Sequence, residues 1–535
     1  MQQVTTPRHD AAAEAEPAAP PVADGSTVGA ARMAIASVIL AFVSITAILF
    51  LPPLAAGGVL LFVAVLYLAR RAVFSWVGAL GILVAVVMFI PVRRYALPIP
   101  LPFELEPYRV VLVLLLGATA AALLLDRSRP WRPVAFGWPI GIFAAAMLVS
   151  IPINGTALVE QSLGGTAVGA VVNWVLVLSV FYITRQILST ERIVMGLLAG
   201  LVWCGTIVAL LAIAERVTRV NIFWRLNSFL PLEVIADESE AYRAGGFRSF
   251  GSSQHPIALS VMLCLLIAVA IYLAAYGGRP HNPINRRIVY GIAVVILIGG
   301  VLSAVSRTAI VVLAMMFLLT LLLRPWLGIT LFALGLPALA IGTAVLPKVF
   351  DTLIGSFFDF DALIASQYTS AGFRGAGRLA DLEPALAQAA AYPFFGTGLG
   401  SRIVTGESQN AFILDNQVLG TLLEAGAVGV VGLAAFILAP AIMMLVWAYT
   451  SARYQPRYAL LALTLVIVSG GYATALFFFD AFGFYQTFFV YLMLLAVGAW
   501  LLTASPPALA AEAAGRGRYE MAEPPAQAPA LRESA

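Results

Sequence analysis

Three short polar strings carry the residues of this 535-residue chain that could do chemistry. The first is RSFGSSQHP, from Arg248 to Pro256. Its small Gly and Ser residues let a backbone approach a ligand closely, and the Arg248 guanidinium can hold phosphate oxygens in a bidentate fork. His255 adds a side chain able to act as acid, base or hydrogen-bond donor. The second string is Ser306-Arg307, a tight connection between two apolar runs. The run after it, 308–323, makes only about 24 Å of helix, so Arg307 is drawn to the bilayer boundary as a cation for a lipid phosphate. The third is LDNQVLGTLLEAGAVG, where Asp415, Asn416, Gln417 and Glu424 stand in otherwise apolar sequence.

Each string also has a structural reading. Arg307 could snorkel to headgroups, and RSFGSSQHP could be a Gly/Ser turn that ends with Pro in the first helical turn, with His255 beside the cap. Asp415 and Asn416 suit a helix start, and Glu424 could lock helix packing, because a carboxyl within a membrane is costly. The apolar sequence around the third string, from Ala411 to about residue 447, would make a helix of about 55 Å, more than a bilayer needs. Either that helix projects outward or it breaks near Gly426 and Gly429. In a regular helix Gln417 and Glu424 share a face, with Glu424 about 12 Å deeper than Asn416.

The elements that must position these strings follow from composition. With 61% apolar and 11% charged residues the chain reads as an all-α polytopic membrane bundle. Fourteen runs between residues 33 and 503 approach the length a bilayer requires, the first two being 33–51 and 53–69. Residues 1–30 and 504–535, rich in Ala, Pro and Glu, read as disordered tails around a single membrane domain, 31–503. With the N-terminus inside, Arg70, Arg71, Arg127, Arg129, Arg132, Arg185, Arg192, Arg279, Arg286, Arg287, Arg324, Arg453 and Arg457 fall in short inner connections. Only Arg93, Arg94, Arg109 and Arg307 fall in short outer ones. Because cytoplasmic loops retain positive charge, both termini are expected inside and the long loops 215–255 and 347–410 outside. The Arg excess is topological, so it does not point to nucleic acid. Cys204 and Cys264 lie in spans as packing residues, and the three scattered histidines offer no metal-ligand spacing.

Taken in order, the strings resemble the O-antigen ligase and O-antigen polymerase superfamily of bacterial envelopes. The resemblance covers roughly residues 215–450. It includes the Arg-x-x-Gly element ahead of a Pro-started span (Arg248, Gly251, Pro256) and the Ser306-Arg307 pair at an outer helix end. It extends to an Arg-led helix followed by Pro and a Gly-rich turn (Arg378, Pro393, Gly396, Gly398, Gly400), then to Asn416, Glu424, Gly426 and Gly429. The chain departs from the ligases in one respect: Asp415 stands where they usually carry His just before the Asn.

The resemblance implies a metal-independent, inverting membrane glycosyltransferase with no cofactor. Its donor would be a polyprenyl-diphosphate-linked glycan and its acceptor a lipid or a glycan. Arg248 and Arg307 would stabilise the leaving diphosphate and Asp415 would orient or deprotonate the acceptor hydroxyl, with Glu424 behind it. Arg243 and Arg378 are secondary candidates for glycan or phosphate contacts, alongside His255 and Asn416. Two other classes fit a chain of this kind: a lipid-linked oligosaccharide flippase, and a metal-dependent lipid-sugar glycosyltransferase using Glu104 and Glu106. Polymerase versus ligase, the sugar and the oligomeric state stay open at this level.

Overall fold

A computed structural model describes residues 75–99, 104–125, 131–236, 242–243, 246–355, 382–402 and 416–503, with isolated positions elsewhere. Most of the expected runs 33–51 and 53–69, both tails, Arg378 and Asp415 lie outside the described residues. Val73–Ala535 forms one compact unit and Met1–Ala72 another, and every element below belongs to the first.

The order is α1 (Trp76–Phe89), β1 (Tyr95–Ala96), α2 (Pro107–Leu125), α3 (Gly137–Ile153), α4 (Gly155–Glu160), α5 (Gly164–Ile187) and α6 (Glu191–Thr218). After β2 (Glu233–Val234), β3 (Tyr242–Arg243) and β4 (Gly246–Phe247) come α7 (Pro256–Tyr276), α8 (Pro283–Ala304), α9 (Arg307–Leu323), α10 (Pro325–Val345) and α11 (Pro347–Leu353). The chain continues with α12 (Leu382–Ala391), α13 (Gln417–Ser451), α14 (Pro456–Ala475) and α15 (Tyr485–Thr503). Among the described residues nine helices are long and apolar enough to cross a membrane, and α1, α3 and α9 are shorter apolar helices. Together these coincide with every expected run from residue 74 onward. The protein is a multi-pass helical bundle, and the strands among the described residues form two short antiparallel pairs in the loops, β1 with β2 and β3 with β4.

Local chemistry sets the helix starts. α7, α8, α10 and α14 each begin with Pro, whose missing N–H is no loss in a first turn. Asn282 Oδ1 accepts the Ile284 N–H at 2.9 Å ahead of α8, and Asn416 Oδ1 accepts the Leu419 N–H at 3.0 Å ahead of α13. Within α13 the helix breaks at Gly426, where φ is 63° and ψ is −159°. Of the two sequence alternatives for this segment, the break is the one observed.

The centre of the bundle is α7, α14 and α15, whose most apolar windows are 83%, 78% and 89% buried, against 6% for the peripheral α10. α7 packs on α8, α13 on α3 and α14, and α15 on α5. Hydrogen bonds between connections gather them at the bundle ends. One end gathers the α6–α7 loop, the α8–α9 corner and the starts of α13 and α15.

Candidate functional site

Glu215, near the end of α6, organises the first string. Its buried carboxylate accepts the N–H groups of Phe250 and Gly251 at 3.0 and 2.8 Å, and the Asn221 side-chain amide at 3.1 Å. Ser249 donates to the Ala212 carbonyl at 2.6 Å, so the turn is bound to α6 along its length. Arg248 is buried at the edge of this turn, and its Nε donates to the Ala304 carbonyl at the end of α8, 3.0 Å away. Arg216 reaches the same corner, donating to Phe247 O at 2.6 Å. His255 is itself the N-cap of α7: its Nδ1 accepts the Ile257 N–H at 3.2 Å.

Arg307 opens α9, three residues after the carbonyl that Arg248 holds. Its Nε donates to Thr352 O of α11 at 3.3 Å. The structure thus brings Arg248 and Arg307 to one corner. Arg243 lies in β3, paired with Gly246, and its backbone alone is described.

The third string meets two segments distant in sequence. Gln417 accepts the Phe482 N–H at 2.9 Å and donates to Thr421 Oγ1 at 3.2 Å. Half-buried Glu424 accepts the Gly400 N–H and lies within electrostatic reach of Arg402 and Asp480. Arg402 pairs loosely with Asp480 at 3.8 Å and crosses the helix at Gly420, where any Cβ would run into its Nη1. Gln417 and Glu424, one step to either side of Gly420, therefore share the face expected of them. The 393–400 turn and the break in α13 exchange hydrogen bonds: Thr397 N and Gly398 N donate to Leu423 O and Glu424 O at 2.8 and 2.9 Å, and Ala427 N donates to Pro393 O at 2.8 Å.

The start of α15 joins these parts. The Gln486 side chain donates to Ser252 Oγ at 2.8 Å and to Val87 O at 3.0 Å, and its Oε1 accepts from Ser253. Phe484 lies 5.7 Å from the His255 ring. The segment 480–486 therefore touches both the His255 turn and the Gln417 face. Sequence reasoning missed Glu215, Arg402, Asp480 and Gln486. The available signal was a lone polar residue in an apolar stretch, as in FFFDAFGFYQTFF.

Glu106, one of the two carboxylates of the metal-dependent alternative, is engaged elsewhere. It accepts the Arg93 N–H and pairs with Arg109 at 3.0 Å. Burial pushes its carboxyl above the ordinary value, with Arg109 and the Arg93 N–H working against that shift. Arg93 Nη2 in turn reaches the Tyr485 hydroxyl at 2.8 Å, and Asn173 donates to the same oxygen. Glu104 is exposed. No group of three or more metal-ligating side chains occurs among the described residues. Comparison with protein-family models gave no match, and comparison with curated proteins gave none either.

Such a site could hold an anion at the Arg248–Arg307 corner. It could hold a hydrogen-bonding ligand along the His255, Gln417 and Glu424 side.

Proposed function

We propose that this chain is a glycosyltransferase of the cytoplasmic membrane that takes its donor as a polyprenyl-diphosphate-linked glycan at the outer face and adds it to a lipid or glycan acceptor in surface polysaccharide assembly. The observation that carries the reading is the shared corner of Arg248 and Arg307, two guanidinium groups at the end of a membrane bundle. The resemblance of the ordered strings to O-antigen ligases and polymerases adds to it, because the Pro393–Gly400 turn and the Glu424–Gly426 segment pack directly on each other. Engagement of Glu106 by Arg93 and Arg109 weighs against the metal-dependent alternative.

In this mechanism the bond from the sugar C1 to the diphosphate oxygen breaks and the acceptor oxygen bonds to C1. The electron pair leaves with the polyprenyl diphosphate, whose charge the two guanidiniums stabilise. The acceptor proton passes to the Asp415 carboxylate, which stands next to the helix-starting Asn416.

The test is glycan transfer by Arg248→Ala and Arg307→Ala. Each is expected to lower transfer by about 10²-fold or more while the protein still inserts and accumulates, the scale of losing a preorganised charge stabiliser. Lys at either position should recover little, because it lacks the planar fork. Near-normal product from both alanine variants overturns the reading. Asp415→Asn should cost about 10²-fold, with partial recovery in Asp415→His; full activity in Asp415→Asn with a folded, inactive Glu424→Gln moves the base to Glu424.

A further inference from the structure

The end of the bundle away from the candidate site gathers three arginines around the last turn of α7. Two of them take up its terminal carbonyls: Arg286 Nη2 donates to Ala275 O at 2.7 Å, and Arg457 Nη2 donates to Tyr276 O at 2.8 Å. These cations occupy the negative end of the helix dipole. The third, Arg324, lies within electrostatic reach of Tyr276 and Tyr272. Its side chain is half-buried, yet its guanidinium makes no hydrogen bond and no ion pair among the described residues. The Tyr272 hydroxyl is engaged by Arg457 O at 3.4 Å, whereas the Tyr276 hydroxyl has no partner among the described residues. A guanidinium fork and a phenol hydroxyl are thus left open side by side.

Their place is the lipid boundary. Arg324 alone connects α9, which ends at Leu323, to α10, which starts at Pro325, so the chain has no length there to carry the guanidinium away from the membrane surface. The helix that follows is peripheral, and Trp326 and Ile329 of its first turns are exposed, as is Leu322 at the end of α9. A Trp at such a junction is the usual interfacial anchor of a membrane helix. A headgroup held at Arg324 would lay its acyl chains beside Leu322 and Ile329. A soluble anion would gain nothing from that apolar surface.

We infer that Arg324 and Tyr276 bind the phosphate of an anionic phospholipid in the leaflet at this end of the bundle, the guanidinium and the phenol hydroxyl both donating to its oxygens. The phosphate of phosphatidylcholine is already balanced by its own ammonium, so a headgroup without a cation, such as that of phosphatidylglycerol, is preferred. The site lies at the opposite end of the bundle from Arg248 and Arg307 and does not rest on the glycosyltransferase reading.

The test is native mass spectrometry of the purified full-length protein from mixed micelles that hold equal amounts of phosphatidylglycerol and phosphatidylcholine. The parent should retain phosphatidylglycerol over phosphatidylcholine by about tenfold or more, the scale of a hydrogen bond to a charged group. Arg324→Gln should remove that preference, and Tyr276→Phe should lower it by about threefold, the scale of one neutral donor. Arg324→Lys keeps the charge without the fork and should fall between Arg324→Gln and the parent, which also gives a reading should Arg324→Gln not fold. Arg453→Gln removes an exposed charge from the same end and should leave the preference within about twofold of the parent. An unchanged preference in Arg324→Gln or in Tyr276→Phe overturns the inference by removing the site. An equal loss in Arg453→Gln overturns it by reducing the preference to diffuse attraction. Displacement of phosphatidylglycerol by glycerol phosphate at the same concentration overturns it by making the ligand a soluble anion.

Discussion

The two ends of the bundle share residue types and differ in what their carboxylates hold. At the end formed by the start of α6 and the start of α14, the buried Glu191 carboxylate receives Arg457 at 2.8 Å and the Tyr458 hydroxyl at 2.8 Å. Arg457 also caps the Tyr276 carbonyl, Arg286 caps Ala274 and Ala275, and Arg185 holds Leu188 O at 3.1 Å. Charge there closes on itself and on helix C-termini, the usual place for a cation. At the other end there are ion pairs too, Glu106 with Arg109 and Asp480 with Arg402, but here carboxylates also grip backbone. Glu215 holds the N–H groups just after Arg248, Glu106 the N–H of Arg93, and Glu424 the N–H of Gly400 just before Arg402. In each case an acid shapes a turn that carries an arginine. Arg248 and Arg307 meanwhile donate to the main-chain carbonyls of Ala304 and Thr352.

The sharpest way to break this contrast is orientation, an all-or-none result. Cysteines at the exposed Ser228 and Ala387 should react with an impermeant thiol reagent in intact cells, and a cysteine at Arg453 only after lysis. Ser252 and Ser401 are unsuitable positions because both are buried. Labelling of Arg453→Cys in intact cells would reverse the two faces and sink the outward site.

Removing the acid that grips a turn comes next. Glu215→Ala leaves two main-chain N–H groups and an amide without their acceptor, at about 1–3 kcal/mol each, so transfer should fall by about 10²-fold or more even in the protein that still folds. Glu215→Gln keeps one acceptor oxygen and should fall between the two. Transfer per folded molecule unchanged in Glu215→Ala would show that the turn needs no such grip.

The opposite end should behave as stability alone. Arg457→Ala strands the buried Glu191 charge and should cost about 3 kcal/mol of thermal stability, with transfer per folded molecule within about twofold of the parent. A loss of transfer without loss of stability would mean that the two ends are not separate in function.

The smallest effect concerns Glu106. Burial, the largest influence, raises its carboxyl, so folding favours the protonated form. Its contribution to stability is present below the ordinary carboxylate value and declines as pH rises through the raised one. Glu106→Gln should therefore change stability by no more than about 1 kcal/mol near neutral pH and flatten that decline, with transfer kept. A folded but inactive Glu106→Gln would revive the metal-dependent alternative.

What was legible in the sequence was what the bilayer dictates. Run lengths and Pro or Asn starts mark α7, α8 and α13, because spanning length and helix initiation are local requirements. The break at Gly426 was legible as one of two outcomes for an over-long helix. Its partner Gly429 stays helical and serves packing, since a Cβ there would run into Ala425. The strings holding Arg248 and Arg307 were legible because charge at a membrane boundary is conspicuous. Their joint placement at the end of α8 was not. It depends on Glu215 reaching Phe250 and on Gln486 reaching Ser252 and Val87, pairings between distant segments that no local pattern encodes. His255 and Asn416 are observed as caps, and that structural role is compatible with either reading of them.

The exchange of hydrogen bonds between the 393–400 turn and the break in α13 has a consequence for recombination among proteins of this kind. Neither partner is complete alone: the turn lends Pro393 O to Ala427 at exposed residues, and the helix lends Leu423 O and Glu424 O to the turn beside the buried Gly426. A loop grafted from another protein would leave groups such as the Leu423 carbonyl and the Gly398 N–H, both at buried residues, without their partners. Residues 393–428 should therefore transplant as a single cassette, so that any exchange that changes the loop before α13 carries the Gln417–Glu424 face with it.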